Sequence, residues 1–368
     1  VIFPDLQAYE EAENGKVFYD PMFDAKPTDP SYGISGNQTN FALQATLKEL
    51  ENGDACFLTG SGLSAINTAL MSVLQAGDHI LIADNVYGPT RRFCNKTLSK
   101  FGVETTYYDP ESGEEIEELV KDNTKVIFLE SPGSLTFEVQ DLNSIVKVAK
   151  KHEIITMLDN SWATPLYLKP LDYGIDISIH AVTKYLNGHS DLLLGAIITN
   201  EKTSARVGKY YKNYGSSSSP NECYLALRGL RTLAARLYYQ QNTLKQVIEY
   251  LSSRPEVKNI LCPSYENFEG FENWKKYFKG TTTLFSIELN KKYSQEQIRK
   301  MVDNYEIFAV GASWGGFESL IRPFDLSGGI RSLNSGKYSG SLIRYYLGLE
   351  NPEDIIKDFE KGFQMLES

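Results

Sequence analysis

The chain has 368 residues, of which 42% are hydrophobic and 23% are charged, and this globular composition has enough length for two domains. Its formal net charge of −10 argues against nucleic acid or an anionic membrane as a partner. No apolar run approaches the roughly 20 residues that span a bilayer, and the first residues show no basic region ahead of an apolar stretch. We therefore expect neither a membrane span nor a secretory signal.

The cysteines and histidines show no metal-binding pattern. The cysteines are scattered without CxxC pairing, which indicates reduced, mostly buried thiols in a cytoplasmic protein. The four histidines form neither an HxxxH pattern nor a cluster with cysteine, so the sequence predicts no metal site.

Two regions with different patterns precede residue 236. Residues 1–36 have no persistent hydrophobic period, and we interpret them as an N-terminal arm that lies across the body of the protein or reaches a neighbouring subunit. From about residue 40 to 200, helical patterns alternate with short apolar runs, namely CFLTG, HILIA, VETTYY, KVIFLE, IITMLD, DISIHA and GAIIT. Such runs, rich in β-branched residues, are typical of buried strands in a parallel sheet. The sequence therefore predicts an α/β domain with a mostly parallel, seven-stranded sheet.

The pattern changes after residue 220. A long helical stretch follows, which we expect to be interrupted near Gly229 and to cross between domains. Residues 236–368 then mix strands such as TTLFSIEL with helices such as NPEDIIKDFEKGFQML. This part is predicted to be a smaller C-terminal α+β domain with an antiparallel sheet.

Four predicted strand ends carry residues that suit a ligand, because open α/β sheets bind ligands at the carboxyl ends of their strands. The Gly-Ser-Gly turn in CFLTGSGLSAIN offers N–H groups at a helix N-terminus, which suits a phosphate, although such turns also serve packing alone. Asp159 ends a second strand, where it either meets a ligand or caps the next helix. Tyr87 follows a third strand and either stacks on a flat ring or belongs to the core.

Lys184 follows the fourth of these strands, DISIHA. A lysine at the inner end of an apolar strand is costly, because burial disfavours its charge. The same burial leaves the amine free to act as a nucleophile. Lys184 is therefore a candidate for covalent chemistry.

Together these segments resemble the cysteine- and methionine-metabolism family of pyridoxal 5′-phosphate (PLP) enzymes, which have the aspartate-aminotransferase fold, or PLP-dependent transferase fold type I. The resemblance runs from YGISGNQTNF to LIRYYLGLE and includes SIHAVTKYLNGHSD, ESPGSLTFEVQDL, LDNSWATP, LRGLRTL and SWGGFESLI. Within the family, the chain most resembles the cystathionine β-lyase branch. The resemblance implies PLP as the cofactor, a PLP-binding domain over residues 37–235 and a C-terminal domain over residues 236–368.

The resemblance also implies residue roles around the PLP ring. Lys184 would hold PLP as a Schiff base, and Asp159 would pair with the pyridine nitrogen and keep it protonated. Tyr87 would stack on the ring, and Tyr32 would reach the phosphate of the neighbouring subunit. Lys184, Tyr87 and Tyr32 are accordingly the predicted catalytic residues.

Further roles concern the phosphate and the substrate. Gly62 and Leu63 would offer backbone N–H groups to the phosphate, and Thr183 would place its hydroxyl nearby. Arg344 would grip the substrate carboxylate in a bidentate fork. Ser313 and Trp314, in the SWGG motif, would lie on the substrate side of the site.

The implied reaction is β-elimination of the small sulfur amino acid L-cystathionine to homocysteine, pyruvate and ammonia in methionine biosynthesis. Trp314 favours β-chemistry, because γ-enzymes of the family tend to carry a smaller leucine–glycine motif there. A γ-lyase or γ-synthase stays open as an alternative, and so does racemisation of alanine or glutamate. A non-enzymatic, metabolite-binding role is a further alternative, but a scaffold would not need a buried Lys184.

Assembly follows from the same resemblance. If Tyr32 completes the active site of a neighbouring subunit, a monomer has no complete site. The chain is therefore expected to form at least a homodimer, and a homotetramer is the habit of the family.

Two departures from the family pattern concern the phosphate. The usual Tyr-x-Arg reads Tyr32-Gly33-Ile34 here, and isoleucine supplies neither a charge nor a donor. A charge-assisted hydrogen bond, typically about 1.5–3 kcal/mol, should therefore be missing. The serine often found three residues before the lysine is replaced by Ala181. We predict weaker PLP binding than in close relatives; dialysis without PLP that left the cofactor fully bound would contradict this.

Overall fold

The structure is a computed structural model that describes residues 5–7, 9–10, 34, 36–327 and 329–366. Most of the predicted arm, including Tyr32, lies outside the described residues. Among the described helices, none combines the length and the apolar character that crossing a membrane requires.

The larger sheet has seven strands. They are β1 (Ala55–Thr59), β2 (His79–Ala83), β3 (Glu104–Tyr108), β4 (Thr124–Glu130), β5 (Ile155–Asp159), β6 (Ile177–Ala181) and β7 (Gly195–Thr199). Their order is β1-β7-β6-β5-β4-β2-β3; β7 runs antiparallel to both of its neighbours, and the other neighbouring pairs are parallel. Each strand falls on one of the seven apolar runs, so the predicted mostly parallel, seven-stranded sheet is confirmed.

Helices and short turns connect these strands. The helices are α1 (Gln38–Glu51), α2 (Gly62–Val73), α3 (Gly88–Lys96), α4 (Leu142–Lys151), the single-turn α5 (Thr164–Tyr167) and α6 (Glu201–Tyr214). The helix α2 shows why the Gly-Ser-Gly turn starts a helix: the hydroxyl of Ser61 accepts the N–H of Ser64 at 3.1 Å, which caps the first turn. Because α2 follows β1 directly, its N-terminus lies at the carboxyl edge of the sheet.

The second sheet is smaller and lies in the C-terminal part. Its strands are β8 (Val257–Leu261), β9 (Leu284–Leu289), β10 (Ala309–Val310), β11 (Leu320–Phe324) and β12 (Leu342–Tyr346), in the order β10-β11-β12-β9-β8. The β10–β11 pair is parallel and the other pairs are antiparallel. The remaining helices are α7 (Pro220–Ser252), α8 (Phe271–Tyr277), α9 (Gln295–Asp303) and α10 (Pro352–Leu366). Residues of α7, α9 and α10 bury a second apolar core with this sheet.

The helix α7 is continuous through Gly229, so the interruption expected there is wrong. The glycine serves a close contact instead: a Cβ atom at this position would lie 2.1 Å from the carbonyl oxygen of Asn187. Asn187 belongs to the turn that follows Lys184, so α7 supports that turn directly. The boundary proposed at residue 235 falls inside the same helix.

We expect Gly229→Ala to destabilise the protein by about 1–3 kcal/mol, because the new methyl group clashes with backbone that cannot rotate away. The gain in helix propensity, about 1 kcal/mol, is smaller than a clash at this distance. The measurement is the midpoint of urea unfolding of the purified protein. Gly336→Ala is the matched control, since a Cβ there meets nothing within 4 Å; equal midpoints for the two variants would contradict the prediction.

Candidate active site

Lys184 lies in the turn after β6, and its amine points toward the C-terminal sheet. Its Nζ donates to Oγ of Ser313 at 2.5 Å and lies 5.1 Å from the ring centroid of Trp314. Burial, followed by the nearby charge of Arg344, lowers the pKa of Lys184 to about 8, and Asp159 opposes this change. The structure therefore brings together four predicted site residues around one amine.

The segment that carries SWGG joins Lys184 to Arg344. The guanidinium of Arg344, on β12, donates from Nη2 to the carbonyl oxygens of Gly311 and Ser313, both at 3.1 Å. Ser313 thus accepts from Lys184 through its hydroxyl and from Arg344 through its carbonyl. Arg344 is only 6% exposed, and its Nε has no hydrogen-bond partner among the described residues. A buried donor without a partner is costly, and a carboxylate ligand would satisfy it.

Gly315 explains why this segment can approach the lysine so closely. Its φ is +88°, in the left-handed region that favours glycine. A Cβ there would lie 2.7 Å from the carbonyl carbon of Lys184 and from the backbone nitrogen of Tyr185. The SWGG segment therefore packs on the backbone of the lysine turn, and the ring of Trp314 lies 5.4 Å from that of Tyr185.

Asp159, at the end of β5, lies beside a second carboxylate that the sequence analysis did not single out. Its register partner is Glu130, at the end of β4. Glu130 accepts the N–H of Tyr87 at 2.6 Å and the hydroxyl of Ser134 at 2.5 Å. Burial and then the charge of Asp159 raise the pKa of Glu130 to about 8, and burial also raises the pKa of Asp159. The available signal was the acidic residue that ends the apolar run KVIFLE.

Ser161 links the ends of β5 and β6 through two hydrogen bonds. Its backbone N–H donates to Oδ1 of Asp159 at 3.0 Å, and its hydroxyl accepts the N–H of Ala181 at 2.7 Å. The carboxylate of Asp159 is therefore fixed in orientation, and its hydrogen bonds to Ser161 oppose the effect of burial on its pKa.

The predicted phosphate residues lie at the N-terminus of α2. Gly62 and Leu63 are its first two residues, whose N–H groups have no acceptor within the helix. A Cβ on Gly62 would lie 2.6 Å from Cβ of Ala181, so Ala181 packs directly against this helix end. The hydroxyl of Thr183 donates to the carbonyl of Leu194 at 3.2 Å and accepts the Leu194 N–H at 3.0 Å. To donate a hydrogen bond to a phosphate, the hydroxyl of Thr183 would have to give up its bond to the carbonyl of Leu194.

Two further predicted site residues, Tyr87 and Tyr32, remain to be placed. Tyr87 precedes α3, is 45% exposed, and has a raised pKa, mainly through burial of its hydroxyl and then through Glu130. Ile34 is 50% exposed. Tyr32 lies outside the described residues, so its proposed contact stays a prediction.

Comparison with known proteins agrees with this architecture. Residues 9–364 match the family described as Cys/Met metabolism PLP-dependent enzyme. The chain therefore belongs to this family, and its cofactor is PLP.

Individual relatives cover nearly the whole chain. The L-alanine/L-glutamate racemase of Wolbachia pipientis wMel is 44% identical over 100% of this chain and 90% of that protein. The cystathionine beta-lyase of Haemophilus influenzae is 40% identical over 91% of this chain and 86% of that protein. A crystal structure of cystathionine gamma-lyase from Lactobacillus plantarum, complexed with L-serine, has a TM-score of 0.86 and 32% identity over 91% of this chain and 88% of that one.

The residues at this edge of the sheet fit PLP. A half-buried amine with a lowered pKa suits its aldehyde, and a half-buried carboxylate that has no cationic hydrogen-bond partner among the described residues suits its pyridine nitrogen. The unpaired N–H groups at the start of α2 suit its phosphate. Lys184, Asp159 and the pair Gly62–Leu63 are therefore the residues that we expect to hold the cofactor.

The pKa of Lys184 predicts how PLP loading depends on pH. Only the neutral amine reacts, so below about pH 8 the loading rate should rise about tenfold per pH unit and then level off. Arg344→Gln should move this midpoint to higher pH, because the Arg344 charge lowers the pKa of Lys184. The measurement is the visible absorbance of bound PLP after mixing with stripped protein, with free acetyl-lysine as the reference for PLP's own ionisation. A wild-type midpoint near the ordinary lysine value of 10.5 would be the contrary result.

The contact between Ala181 and Gly62 predicts a way to strengthen PLP binding. Ala181→Ser places a hydroxyl beside the N-terminus of α2, where it can donate to the phosphate. One charge-assisted hydrogen bond should slow PLP release about tenfold. The rate of PLP release is measured by the transfer of PLP to an excess of an acceptor protein. The control variant is Ala205→Ser, at an exposed position. If release is unchanged in Ala181→Ser, the prediction is wrong; if it slows in Ile34→Arg instead, the predicted weakness of PLP binding lies in the missing arginine.

Proposed function

We propose that this chain is a carbon–sulfur lyase that eliminates at Cβ of a sulfur amino acid. L-Cystathionine is the proposed substrate, with homocysteine, pyruvate and ammonia as products that supply methionine biosynthesis. The observation that carries the proposal is the group formed by Lys184, Ser313, Trp314 and Arg344, which combines a base with a carboxylate site. Relatives named cystathionine beta-lyase from Haemophilus influenzae and Escherichia coli, 40% and 39% identical, support it.

Arg344 is proposed to bind the α-carboxylate of the substrate. Its unpartnered Nε and its planar guanidinium suit a bidentate pair. Because two backbone carbonyls fix its Nη2, the bound carboxylate has a defined position relative to Lys184. Trp314 would close one wall of the substrate site and exclude water from the amine.

Lys184 is proposed to be the general base. Bound PLP supplies an electron sink that makes the Cα proton acidic. With a pKa of about 8, the amine of Lys184 can take that proton near neutral pH, and Ser313 directs it toward the SWGG side. As the Cβ–S bond breaks, the sulfur keeps the electron pair and takes a proton to become the thiol of homocysteine. Water hydrolyses the remaining three-carbon fragment to pyruvate and ammonia.

Racemisation is the second candidate. The racemase of Wolbachia pipientis wMel, at 44% identity over the whole chain, is the observation that favours it. Both reactions begin when Lys184 removes the Cα proton. They differ in whether a proton returns to the opposite face or a leaving group departs from Cβ. A γ-lyase or γ-synthase remains a family alternative, to which solved structures of 30–32% identity belong.

We further propose that the enzyme is a homodimer or a homotetramer in which Tyr32 contacts the PLP phosphate of the neighbouring subunit.

We also propose a cytoplasmic location. The four cysteines of the chain are free and buried, which supports a reducing compartment; they are Cys56, Cys94, Cys223 and Cys262.

The test adds L-cystathionine to the PLP-loaded protein and measures pyruvate and the free thiol together. Equal amounts of pyruvate and homocysteine, lost in Lys184→Ala by at least about 10³-fold, are the expected result. Cysteine with 2-oxobutyrate would mean γ-elimination instead. Conversion of L-alanine or L-glutamate to the D-form, without any thiol from cystathionine, would establish racemisation and overturn the lyase proposal.

A further inference from the structure

Two arginines lie side by side on the C-terminal sheet, next to the candidate site. Arg322 on β11 and Arg344 on β12 are register partners in an antiparallel pair, so their side chains project from the same face of the sheet. Like charges in directly opposed positions are unfavourable. Burial and then the charge of Arg322 lower the pKa of Arg344 to about 10. The protein therefore keeps two close positive charges at a cost.

No described carboxylate neutralises this pair. Arg344 directs its Nη2 to two carbonyl oxygens and leaves its buried Nε without a partner among the described residues. Arg322 is exposed, and within the described part of the chain it has neither an ion pair nor a hydrogen bond. The chain has a net charge of −10 and many acidic side chains, yet none of the described ones forms an ion pair with either arginine.

A third observation places Arg322 at the mouth of the site. The charges of Arg92, which is exposed, and of Arg322 act on Tyr87, where they lower a pKa that burial, Glu130 and Asp159 raise. Arg344 likewise interacts electrostatically with Tyr87. Arg322 therefore lies close enough to the candidate ring-stacking residue and the carboxylate site to act on the same ligand, and an anionic group between the two arginines would neutralise them.

Building on the proposed α-carboxylate site at Arg344, we propose that Arg322 binds a second, distal carboxylate of the substrate. The site then selects amino acids with two carboxylates. L-Cystathionine and L-glutamate both have one at each end, whereas L-alanine leaves Arg322 unpaired. Opposed strand residues are about 5 Å apart at Cβ, and two arginine side chains diverging from there can reach both ends of one extended ligand. Arg322 is thus a specificity residue common to the lyase and the racemase candidates.

Binding of unreactive acids tests this without relying on either reaction. The probes are glutarate and butyrate, which differ by one carboxylate, titrated by calorimetry into PLP-loaded protein. We expect glutarate to bind more tightly than butyrate. Arg322→Gln should weaken glutarate at least about tenfold and butyrate less than about twofold. Arg344→Gln should weaken both acids, and Arg299→Gln, an exposed arginine on α9, should change neither.

Steady-state kinetics add a second readout. In Arg322→Gln, the KM for L-cystathionine should rise about tenfold while kcat changes little, and the KM for the monocarboxylate S-methyl-L-cysteine should rise far less. Equal weakening of glutarate and butyrate would show that both arginines hold one carboxylate, and no weakening of glutarate would remove Arg322 from the site; either result overturns the inference. If glutarate selectivity depends on Arg322 but cystathionine is not cleaved, the proposed lyase function fails and the dicarboxylate site stands.

Discussion

The arrangement of this site depends on partial burial of the Lys184 amine between the two sheets. Desolvation disfavours its charge, and a hydrogen bond to Ser313 from the C-terminal part offsets some of that cost. The SWGG segment can make this bond because Gly315 packs on the lysine backbone and because Arg344 holds the segment by two carbonyls. Lys184 follows a strand of the larger sheet, whereas the residues that contact its amine or lower its pKa, Ser313 and Arg344, belong to the C-terminal part. Their relative position therefore sets the reactivity of the amine.

The larger sheet supplies the rigid half of this arrangement. Asp159, Glu130 and the start of α2 all lie at the carboxyl edge of buried strands, where neighbouring backbone leaves little freedom. The helix α7 links the two halves, since Gly229 contacts the turn after Lys184 and later residues of the same helix enter the C-terminal core. A change in the packing of this helix would reach both the lysine turn and the substrate side.

Local sequence is sufficient for the strands and for some of the residues at their ends. Short β-branched runs bounded by turn residues identify buried strands, and Asp159 and Lys184 are recognised because charged residues are rare beside such runs. Glu130 also ends such a run, but its role becomes visible only from its pairing with Asp159. Properties that depend on strand register or on contacts between distant segments cannot be predicted from the local sequence. The pairing of Glu130 with Asp159 and that of Arg322 with Arg344 arise from strand alignment. The helix break expected at Gly229 is wrong because two kinds of glycine cannot be told apart in a sequence. One interrupts a helix, and the other leaves room for the backbone of a distant segment, here Asn187.

The paired carboxylates at the ends of β4 and β5 have a consequence for charge selection. Two carboxylates in register repel each other when both are ionised, and burial and then the charge of Asp159 raise the pKa of Glu130. A protonated heterocycle beside the pair would supply a compensating positive charge, whereas an uncharged one would leave the repulsion uncompensated. The alignment of two strands would thus discriminate between protonation states of a ring bound against them.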